Sequence, residues 1–231
     1  MTLRIKPLLK KKIQTLIASR PDLSGIKMLL RLNDKLFSFT LGTIKICEKK
    51  RGGIHPKHWV TDFHEFFLEN IKTTDSVLEV GCAYGHVASE IAKKAKYVQA
   101  IDNRPEAIAE AKKLFSRENL RFECNDFWDW PEENAFDIII LSNVLEHIEN
   151  RVEFLMKASR IGKKLLIRVP SYKRDWLVPY KEKLGLEWRL STDHQLEYTE
   201  GILREELSQA GLKAVEIFSE WGNYCCIAVQ R

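Results

Sequence analysis

Two glycines spaced four residues apart, with an acid further along the chain, carry the first chemical signal in this sequence. Val77–Val80 is an apolar run that predicts a buried strand, and Gly81 and Gly85 follow it directly. Glycine permits a tight turn and lets a ligand lie against bare backbone. The next stretch, Val87–Lys94, has a helical pattern, and a helix N-terminus offers free N–H groups to a polar or acidic ligand atom. Together these features indicate the start of an α/β nucleotide-binding unit.

Asp102 is the acid that matches this loop. It ends the second predicted strand, about 20 residues after the first glycine, where a carboxylate accepts hydrogen bonds from ribose hydroxyls. The alternative is that Asp102, or Asn103 beside it, caps the helix that begins near Pro105. Because the spacing of loop and acid agrees, we expect Asp102 to bind a ribose.

The loop argues against two common nucleotide ligands. The dinucleotide fingerprint G-x-G-x-x-G needs glycine at the positions of Ala83 and His86, so NAD and FAD are disfavoured. The chain also has no G-x-x-x-x-G-K-[ST] stretch for a nucleoside triphosphate. The ligand is therefore expected to be another nucleoside.

Strands and helices must position these residues, and they alternate from Ser76 onward. Predicted strands are Ser76–Val80, Tyr97–Ile101, Leu120–Cys124, Phe136–Leu141, Lys164–Val169, Leu212–Ser219 and Tyr224–Gln230. Predicted helices are Trp59–Ile71, Tyr84–Lys94, Pro105–Arg117, Asn150–Arg160 and Thr199–Ala210. This rhythm predicts a doubly wound, mostly parallel sheet with helices on both faces. The last two strands are too close for a crossover helix, so they must pair antiparallel.

In such a sheet, ligands bind beyond the carboxyl ends of the strands. The residues just after each strand are therefore the candidates for a binding site. They are Gly81–Gly85, Asp102 with Asn103, Asn125–Phe127, Ser142–His147 and Pro170–Tyr172.

Four of these segments resemble the motifs of the class I S-adenosylmethionine-dependent methyltransferases. Val77–Gly85 resembles the first motif of that family, although Ala83 replaces the more usual middle glycine. Ile101-Asp102 is similar to the second motif and Asn125-Asp126-Phe127 to the acidic third site. Phe136–Ile148, which contains Leu-Glu-His, resembles the fourth. The resemblance covers about residues 60 to 231.

This resemblance implies a Rossmann-like, seven-stranded sheet with an antiparallel last strand, and S-adenosylmethionine as cofactor. Glu79 would line its methionine end with the glycines, Asp102 would hold the ribose, and Asp126 would accept from the adenine amino group. The implied cofactor-binding residues are Glu79, Gly81, Cys82, Ala83, Gly85, Asp102, Asn103, Asn125, Asp126, Phe127, Ser142 and Asn143. For Asp126, a solvated loop carboxylate is the alternative.

Methyl transfer needs a general base only when the acceptor is a hydroxyl or a protonated amine. The candidates for that role are His194, His147 and Tyr172. Alternatively, Glu146 and His147 cap and orient the helix that follows them, and His194 is a packed or surface histidine. The sequence leaves these alternatives open.

The acceptor is predicted from the fourth motif. The chain has no Asp/Asn-Pro-Pro-Tyr stretch, which disfavours methylation of base amino groups in nucleic acids. The Leu-Glu-His variant resembles methyltransferases that act on small molecules, so we expect O-methylation of a small-molecule or saccharide-type acceptor. An RNA methyltransferase and a catalytically silent S-adenosylmethionine-binding module remain as alternatives.

The organisation of the chain is predicted from a shift in composition at Lys49–Gly53. Residues 1–53 read as a basic, helical N-terminal extension, and 54–231 as the methyltransferase domain with an acceptor-side insertion at 170–197. The extension either packs on the domain as a lid or presents a basic amphipathic surface to a membrane or a lipid-linked substrate.

Composition bounds the remaining possibilities. The chain has 231 residues and a net charge of +5, too weak to argue for nucleic acid without a clustered patch. Five cysteines without a C-x-x-C pair indicate a reducing, cytoplasmic setting. No metal is expected, since His55, His58 and His64 come with no cysteine or carboxylate at ligand spacing. No apolar run is long enough for a transmembrane helix, and the oligomeric state is not indicated.

Overall fold

The structure, a computed structural model, describes residues 7–50, 56–132 and 135–231. Its helices are α1 (Pro7–Ala18), α2 (Ser24–Lys50), α3 (Lys57–Val60), α4 (His64–Glu69), α5 (His86–Ile91), α6 (Pro105–Leu114), α7 (Arg151–Ile161), α8 (Leu177–Lys183) and α9 (Glu200–Gln209). Its strands are β1 (Ser76–Val80), β2 (Tyr97–Asp102), β3 (Leu120–Cys124), β4 (Phe136–Ser142), β5 (Gly162–Pro170), β6 (Leu212–Glu220) and β7 (Asn223–Gln230). Two short 3-10 helices span Phe127–Asp129 and Leu145–His147.

The seven strands form one sheet in the order β3-β2-β1-β4-β5-β7-β6. Pairing is parallel from β3 to β5, whereas β7 runs antiparallel to both β5 and β6. The predicted fold class is therefore confirmed. The strand order reverses between β1 and β4, and this reversal is where open α/β sheets bind their ligands.

Apolar strands place the sheet between two buried layers. Ile138–Leu141 is at most 1% exposed, as expected for a parallel strand covered on both faces. One buried cluster joins the sheet to α7 and α9, and the other joins it to α4, α5 and α6. Cys225 packs in one cluster and Cys226 in the other, because successive strand residues point to opposite faces.

Local signals explain where several elements begin and end. Thr199 caps α9, since its Oγ1 accepts from the backbone N–H of Ile202 at 3.3 Å. Gly162 ends α7 and begins β5, and a Cβ there would lie 2.3 Å from Ile139. The single helix predicted over Trp59–Ile71 is wrong. Asp62 adopts a left-handed φ of 44°, which interrupts helical hydrogen bonding and separates α3 from α4.

The chain divides into two compact units. One comprises residues 1–59, as far as they are described, together with Pro179–Trp188, and the other comprises Val60–Val178 and Arg189–Arg231 with the whole sheet. Within the first unit, Nζ of Lys181 lies 2.5 Å from the Asp34 carboxylate. The predicted boundary at 53 and 54 falls among residues 51–55, outside the described residues, so the domain limits stay a prediction.

Candidate active site

The glycine loop after β1 is built from left-handed residues. Gly81 and Gly85 have φ values of 70° and 78°, and Ala83 has 49°. A Cβ at Gly81 would lie 2.8 Å from Val144, and one at Gly85 would lie 2.6 Å from the Phe122 ring. The loop therefore needs glycine at 81 and 85 for both conformation and space, whereas Ala83 tolerates its φ at a modest cost.

Asp102 fixes this loop at the end of β2. It is 5% exposed, and its Oδ2 accepts from the backbone N–H of Ala83 at 2.8 Å. Arg104 contacts the same carboxylate, with Nε 2.8 Å from Oδ1 and Nη2 3.0 Å from Oδ2. Burial raises the pKa of Asp102, but the hydrogen bonds from Arg104 and Ala83 outweigh it, so the pKa lies below its usual range. Asp102 is thus ionised, and it can accept hydrogen bonds wherever Arg104 gives way.

Arg104 is a residue that sequence reasoning missed. Its backbone N–H also donates to Oδ1 of Asp102, at 3.1 Å, so the residue closes a turn around the acid. A cation two residues after the ribose-type acid was the available signal. Asn103, which lies between them, is exposed.

Glu79 is the most buried acid beside the loop. It lies on β1 between Ala100 of β2 and Ile140 of β4, and it is 2% exposed. Burial raises the pKa of Glu79 to about 8. The hydrogen bond from the backbone N–H of Ala88 acts in the opposite direction but is the smaller effect. Its Oε2 has no hydrogen-bond partner among the described residues. That orphaned oxygen is available to a ligand at the carboxyl end of β1.

The third predicted segment, Asn125–Phe127, follows β3 at the same end of the sheet. The Asp126 side chain accepts from the backbone N–H of Trp128 at 2.9 Å and thereby caps the short 3-10 helix. Asn125 donates its backbone N–H to the Asp102 carbonyl at 3.1 Å, and Phe127 is buried. Asp126 is exposed and uses only Oδ1 in this contact, so capping and the predicted adenine contact are compatible.

Asn143 links β4 to a buried cation on β5. It has a left-handed φ of 57°, its Oδ1 accepts from Nη1 of Arg168 at 2.5 Å, and its Nδ2 donates to Oε1 of Glu146 at 2.9 Å. Arg168 is buried with its guanidinium 4.5 Å from the Phe63 ring centroid. Ser142, half-buried, pairs in register with Arg168. Sequence reasoning missed Arg168, although a charge inside an apolar strand was a signal for it.

The structure brings the predicted catalytic residues His147 and His194 together. Their ring centroids lie 4.7 Å apart, and the Gln195 backbone N–H donates to the Glu146 carbonyl at 2.7 Å, which holds the two segments in contact. Nδ1 of His147 lies 3.2 Å from Oδ2 of Asp193, and Nδ1 of His194 lies 3.5 Å from Oε1 of Glu197. Burial, and then the neighbouring His147, lowers the pKa of His194 to about 4. His194 is therefore neutral at neutral pH.

Glu146 is the buried carboxylate of this group. It is 1% exposed, Asn143 donates to its Oε1, and its Oε2 has no hydrogen-bond partner in the described parts of the chain. Burial raises its pKa. The side chains of Glu146 and His147 contact Asn143 and Asp193, and α7 begins at Asn150 without a side-chain cap. Their catalytic role stays a prediction.

Tyr172 is the third predicted catalytic residue. Tyr172 is half-buried after β5, where its backbone N–H donates to the Tyr198 carbonyl at 2.8 Å. Its catalytic role stays a prediction. Of the histidines considered for a metal, His64 is buried in α4, His58 lies in α3, and His55 falls outside the described residues.

The chain is similar in sequence to known methyltransferases. A family model described as a methyltransferase domain matches residues 55–217. An ajmaline N-methyltransferase from Rauvolfia serpentina is 28% identical over 106 residues, which are 43% of this chain and 36% of that protein. A probable cobalt-precorrin-6B C(15)-methyltransferase from Methanococcus maripaludis is 34% identical over 98 residues, covering 41% and 52%. The chain thus spans about half or less of the curated relatives it matches.

A solved structure shares the fold. Magnesium protoporphyrin IX methyltransferase from Synechocystis, with bound S-adenosylhomocysteine, superposes with a TM-score of 0.59 over 76% of this chain and 83% of that one, at 16% identity. At this identity the likeness concerns the fold. The family match is independent of it and spans more than half of the chain. The chain therefore belongs to the family of methyltransferase domains, which confirms the class I S-adenosylmethionine-dependent methyltransferase that its motifs predict.

Proposed function

We propose that this chain transfers the methyl group of S-adenosylmethionine to a hydroxyl group of a small-molecule or saccharide-type acceptor. The observation that carries the proposal is the pairing of His147 with His194 beside the carboxyl end of β4. Nδ1 of His147 lies 3.2 Å from Asp193, and Nδ1 of His194 is buried without a hydrogen-bond partner among the described residues, so each ring keeps a nitrogen for a reacting group. A hydroxyl acceptor loses a proton during methylation, and such a pair provides a place for it.

The residues at the strand ends fit the cofactor. Gly81, Ala83 and Gly85 give the loop its left-handed conformation, and Asp102 is an ionised carboxylate at the expected ribose position. The carboxyl of Glu79, whose Oε2 is orphaned, is protonated at neutral pH and can donate a hydrogen bond near the expected methionine end. When bound, S-adenosylmethionine supplies a methyl group activated by its sulfonium charge.

The chain's own contribution is positioning and proton handling. Holding an acceptor in line with the methyl group is worth up to about 7–11 kcal/mol in ideal cases. The Asn143–Glu146–Arg168 contacts fix the segment that carries His147. His194 is neutral at neutral pH, so a ring nitrogen can accept the hydroxyl proton, although a pKa of about 4 makes it a weak base.

The test is a methylation screen with isotopically labelled S-adenosylmethionine. Pools of phenols and saccharides, amines, and RNA are offered separately, and product is identified by mass and by the NMR shift of the labelled methyl group. We expect O-methyl products that require Asp102, so Asp102→Ala should lose them. Label transferred only to amines or to RNA would refute the acceptor class, and an absence of cofactor binding by calorimetry would refute methyl transfer itself.

N-methylation is a second candidate, favoured by the names of two relatives. Besides the Rauvolfia protein, a probable (S)-tetrahydroprotoberberine N-methyltransferase 2 from Papaver bracteatum is 30% identical over 104 residues. An amine acceptor that is already neutral needs no base. Loss of both histidines would then leave methylation nearly unchanged, and that readout distinguishes the two acceptor classes.

We also propose that α1 and α2 touch an anionic membrane surface. Leu8, Leu16 and Phe39 are exposed, and Lys10–Lys12 lie on α1. Apolar side chains beside lysines favour the interface of anionic lipids. Among the described helices, none is long and apolar enough to span a bilayer. Flotation with anionic vesicles tests this, and Leu16→Glu with Phe39→Glu should abolish it.

The proposed compartment is the cytoplasm. All five cysteines, Cys47, Cys82, Cys124, Cys225 and Cys226, are free thiols. Unpaired cysteines are typical of reducing compartments. Fractionation of cells that express a tagged chain tests this placement.

A further inference from the structure

Glu146, His147 and His194 form a group that the proton-transfer role does not fully explain. Each offers one ligand atom, and these atoms all lie within 4.8 Å of one another. The backbone hydrogen bond from Gln195 to Glu146 holds together the segments that carry them, so the group lies in folded structure at the carboxyl end of β4. Two imidazoles and one carboxylate are a common ligand set for a divalent transition metal.

An unsatisfied carboxylate oxygen in this group indicates that it binds a ligand. Oε1 of Glu146 accepts from Asn143, whereas Oε2 is buried without a hydrogen-bond partner in the described structure. An orphaned carboxylate oxygen of a side chain that is 1% exposed is costly unless something binds it.

His147 is oriented as metal-binding histidines usually are. Metal ligands of this type direct their second ring nitrogen to a carboxylate, which fixes tautomer and orientation. Nδ1 of His147 lies 3.2 Å from Oδ2 of Asp193 in this way. Nδ1 of His194 lies 3.5 Å from Oε1 of Glu197 but is buried without a hydrogen-bond partner among the described residues, so it is a second unsatisfied atom of the group. Nε2 of His147 and a ring nitrogen of His194 are thus available to a metal.

We propose that Glu146, His147 and His194 bind one divalent transition metal ion, of the Zn²⁺, Co²⁺ or Mn²⁺ class, at the carboxyl end of β4. Ligand atoms about 2.0–2.1 Å from a tetrahedral ion lie roughly 3.3 Å apart, so the group must contract by about 1.5 Å at most. His147 is partly exposed and can rotate to do so. Mg²⁺ and Ca²⁺ prefer all-oxygen ligands and should bind weakly.

Three protein ligands leave coordination positions open, as in catalytic rather than structural sites. An acceptor hydroxyl that occupies one of them would have a lowered pKa and would release its proton to solvent, so in the metal-bound chain the ion would replace His194 in removing that proton. This role rests on the proposed function, whereas the metal site itself does not.

The experiment uses the full chain after removal of metal with a chelating resin. Co²⁺ is titrated, and binding is followed by calorimetry and by the visible absorption of the ion. We expect one equivalent per chain. His194→Asn and Glu146→Gln should weaken Co²⁺ binding at least 100-fold while S-adenosylhomocysteine still binds, which shows that the fold persists.

Two further variants sharpen the result. Asp193→Asn changes only an exposed carboxylate, so it should fold normally and weaken Co²⁺ binding roughly 10-fold through His147. His86→Asn, remote from the group in sequence and on α5, should bind Co²⁺ like the parent chain. Absence of Co²⁺ binding, or binding unchanged in His194→Asn, would overturn the inference.

The same assay separates this inference from the proposed function. Full methyl transfer by a chain that binds no metal would overturn the metal site and leave the methyltransferase role standing. Tight, His194-dependent Co²⁺ binding by a chain that methylates no hydroxyl would support the site and refute the acceptor class.

Discussion

Arg104 holds Asp102 by both carboxylate oxygens, through Nε at 2.8 Å from Oδ1 and Nη2 at 3.0 Å from Oδ2. A ribose at this position would need the same oxygens. Arg104 therefore competes with the cofactor for Asp102, and its half-exposed side chain can leave without disturbing the core.

We predict opposite effects for the two residues. Asp102→Ala should weaken S-adenosylmethionine binding about 10–100-fold, since hydrogen bonds to a charged group contribute about 1.5–3 kcal/mol. Arg104→Ala should leave binding unchanged or several-fold tighter. Calorimetry measures both, with the exposed Arg117→Ala as control. If Arg104→Ala weakens binding as much as Asp102→Ala, Arg104 holds the cofactor itself.

The raised pKa of Glu79 predicts how stability depends on pH. The unfolded chain releases this proton near 4.5, whereas the folded chain keeps it until about pH 8. Between these values the unfolded state binds fewer protons, so the free energy of unfolding should fall as pH rises, by an amount on the order of a few kcal/mol.

Glu79→Gln should remove that dependence, because the amide stays neutral throughout. Urea unfolding at pH 5, 6.5 and 8 measures it, with the exposed Glu118→Gln as the matched control. Parallel pH profiles for the parent chain and Glu79→Gln would contradict the burial of a protonated Glu79.

Gly85 is predicted to be intolerant of a side chain. Gly85→Ala should cost about 2–4 kcal/mol of unfolding free energy, because a Cβ would lie 2.6 Å from the Phe122 ring and φ is 78°. Phe122→Leu removes the ring and alone should cost about 1–2 kcal/mol. The double variant should lose less than the sum of the two. Simple additivity in urea unfolding would mean that the clash is not the cause.

Tyr198 and Arg151 share the buried Glu206 carboxylate. Tyr198 Oη donates to Oε2 at 2.8 Å, and Nε of Arg151 lies 2.6 Å from Oε1. Tyr198→Phe should cost about 1–3 kcal/mol by leaving an oxygen unpaired. Arg151→Met should cost about 3–5 kcal/mol by leaving a charge unpaired.

Glu206→Gln added to either variant should recover part of the loss, because it removes the unpaired charge. Thermal unfolding of the four variants is the measurement. A loss that Glu206→Gln leaves untouched would show that packing, rather than charge, explains the effect.

Most of the fold could be predicted from the sequence, for a physical reason. β1, β2 and β4 are short, mostly apolar runs that end at a glycine or a polar residue, so β1 was predicted with its observed limits and β2 and β4 within one residue. β3 alternates apolar and charged residues and was also predicted with its observed limits. Helix ends were less certain, because ends fray and capping is local. The break at Asp62 was missed, since a single left-handed residue leaves no trace in apolar periodicity.

The site was predictable only in part. The residues after β1, β2 and β4 were found because topology alone brings strand ends together. Arg168 was not found because its contact with Asn143 joins residues 25 positions apart, which leave no spacing to read. Arg104 and the carboxylates beside the histidines were missed because only the folded backbone shows which way these side chains turn. The pairing of His147 with His194, 47 positions apart, is of this kind.

The backbone bond from Gln195 to Glu146 has one more consequence. Together with the bond from the Tyr198 N–H to the Pro170 carbonyl, at 2.9 Å, it attaches an irregular segment at two points to the carboxyl ends of β4 and β5. The amide protons of Gln195 and Tyr198 should therefore exchange with solvent as slowly as those of neighbouring strands. A segment without regular secondary structure would then open only when the ends of β4 and β5 themselves open.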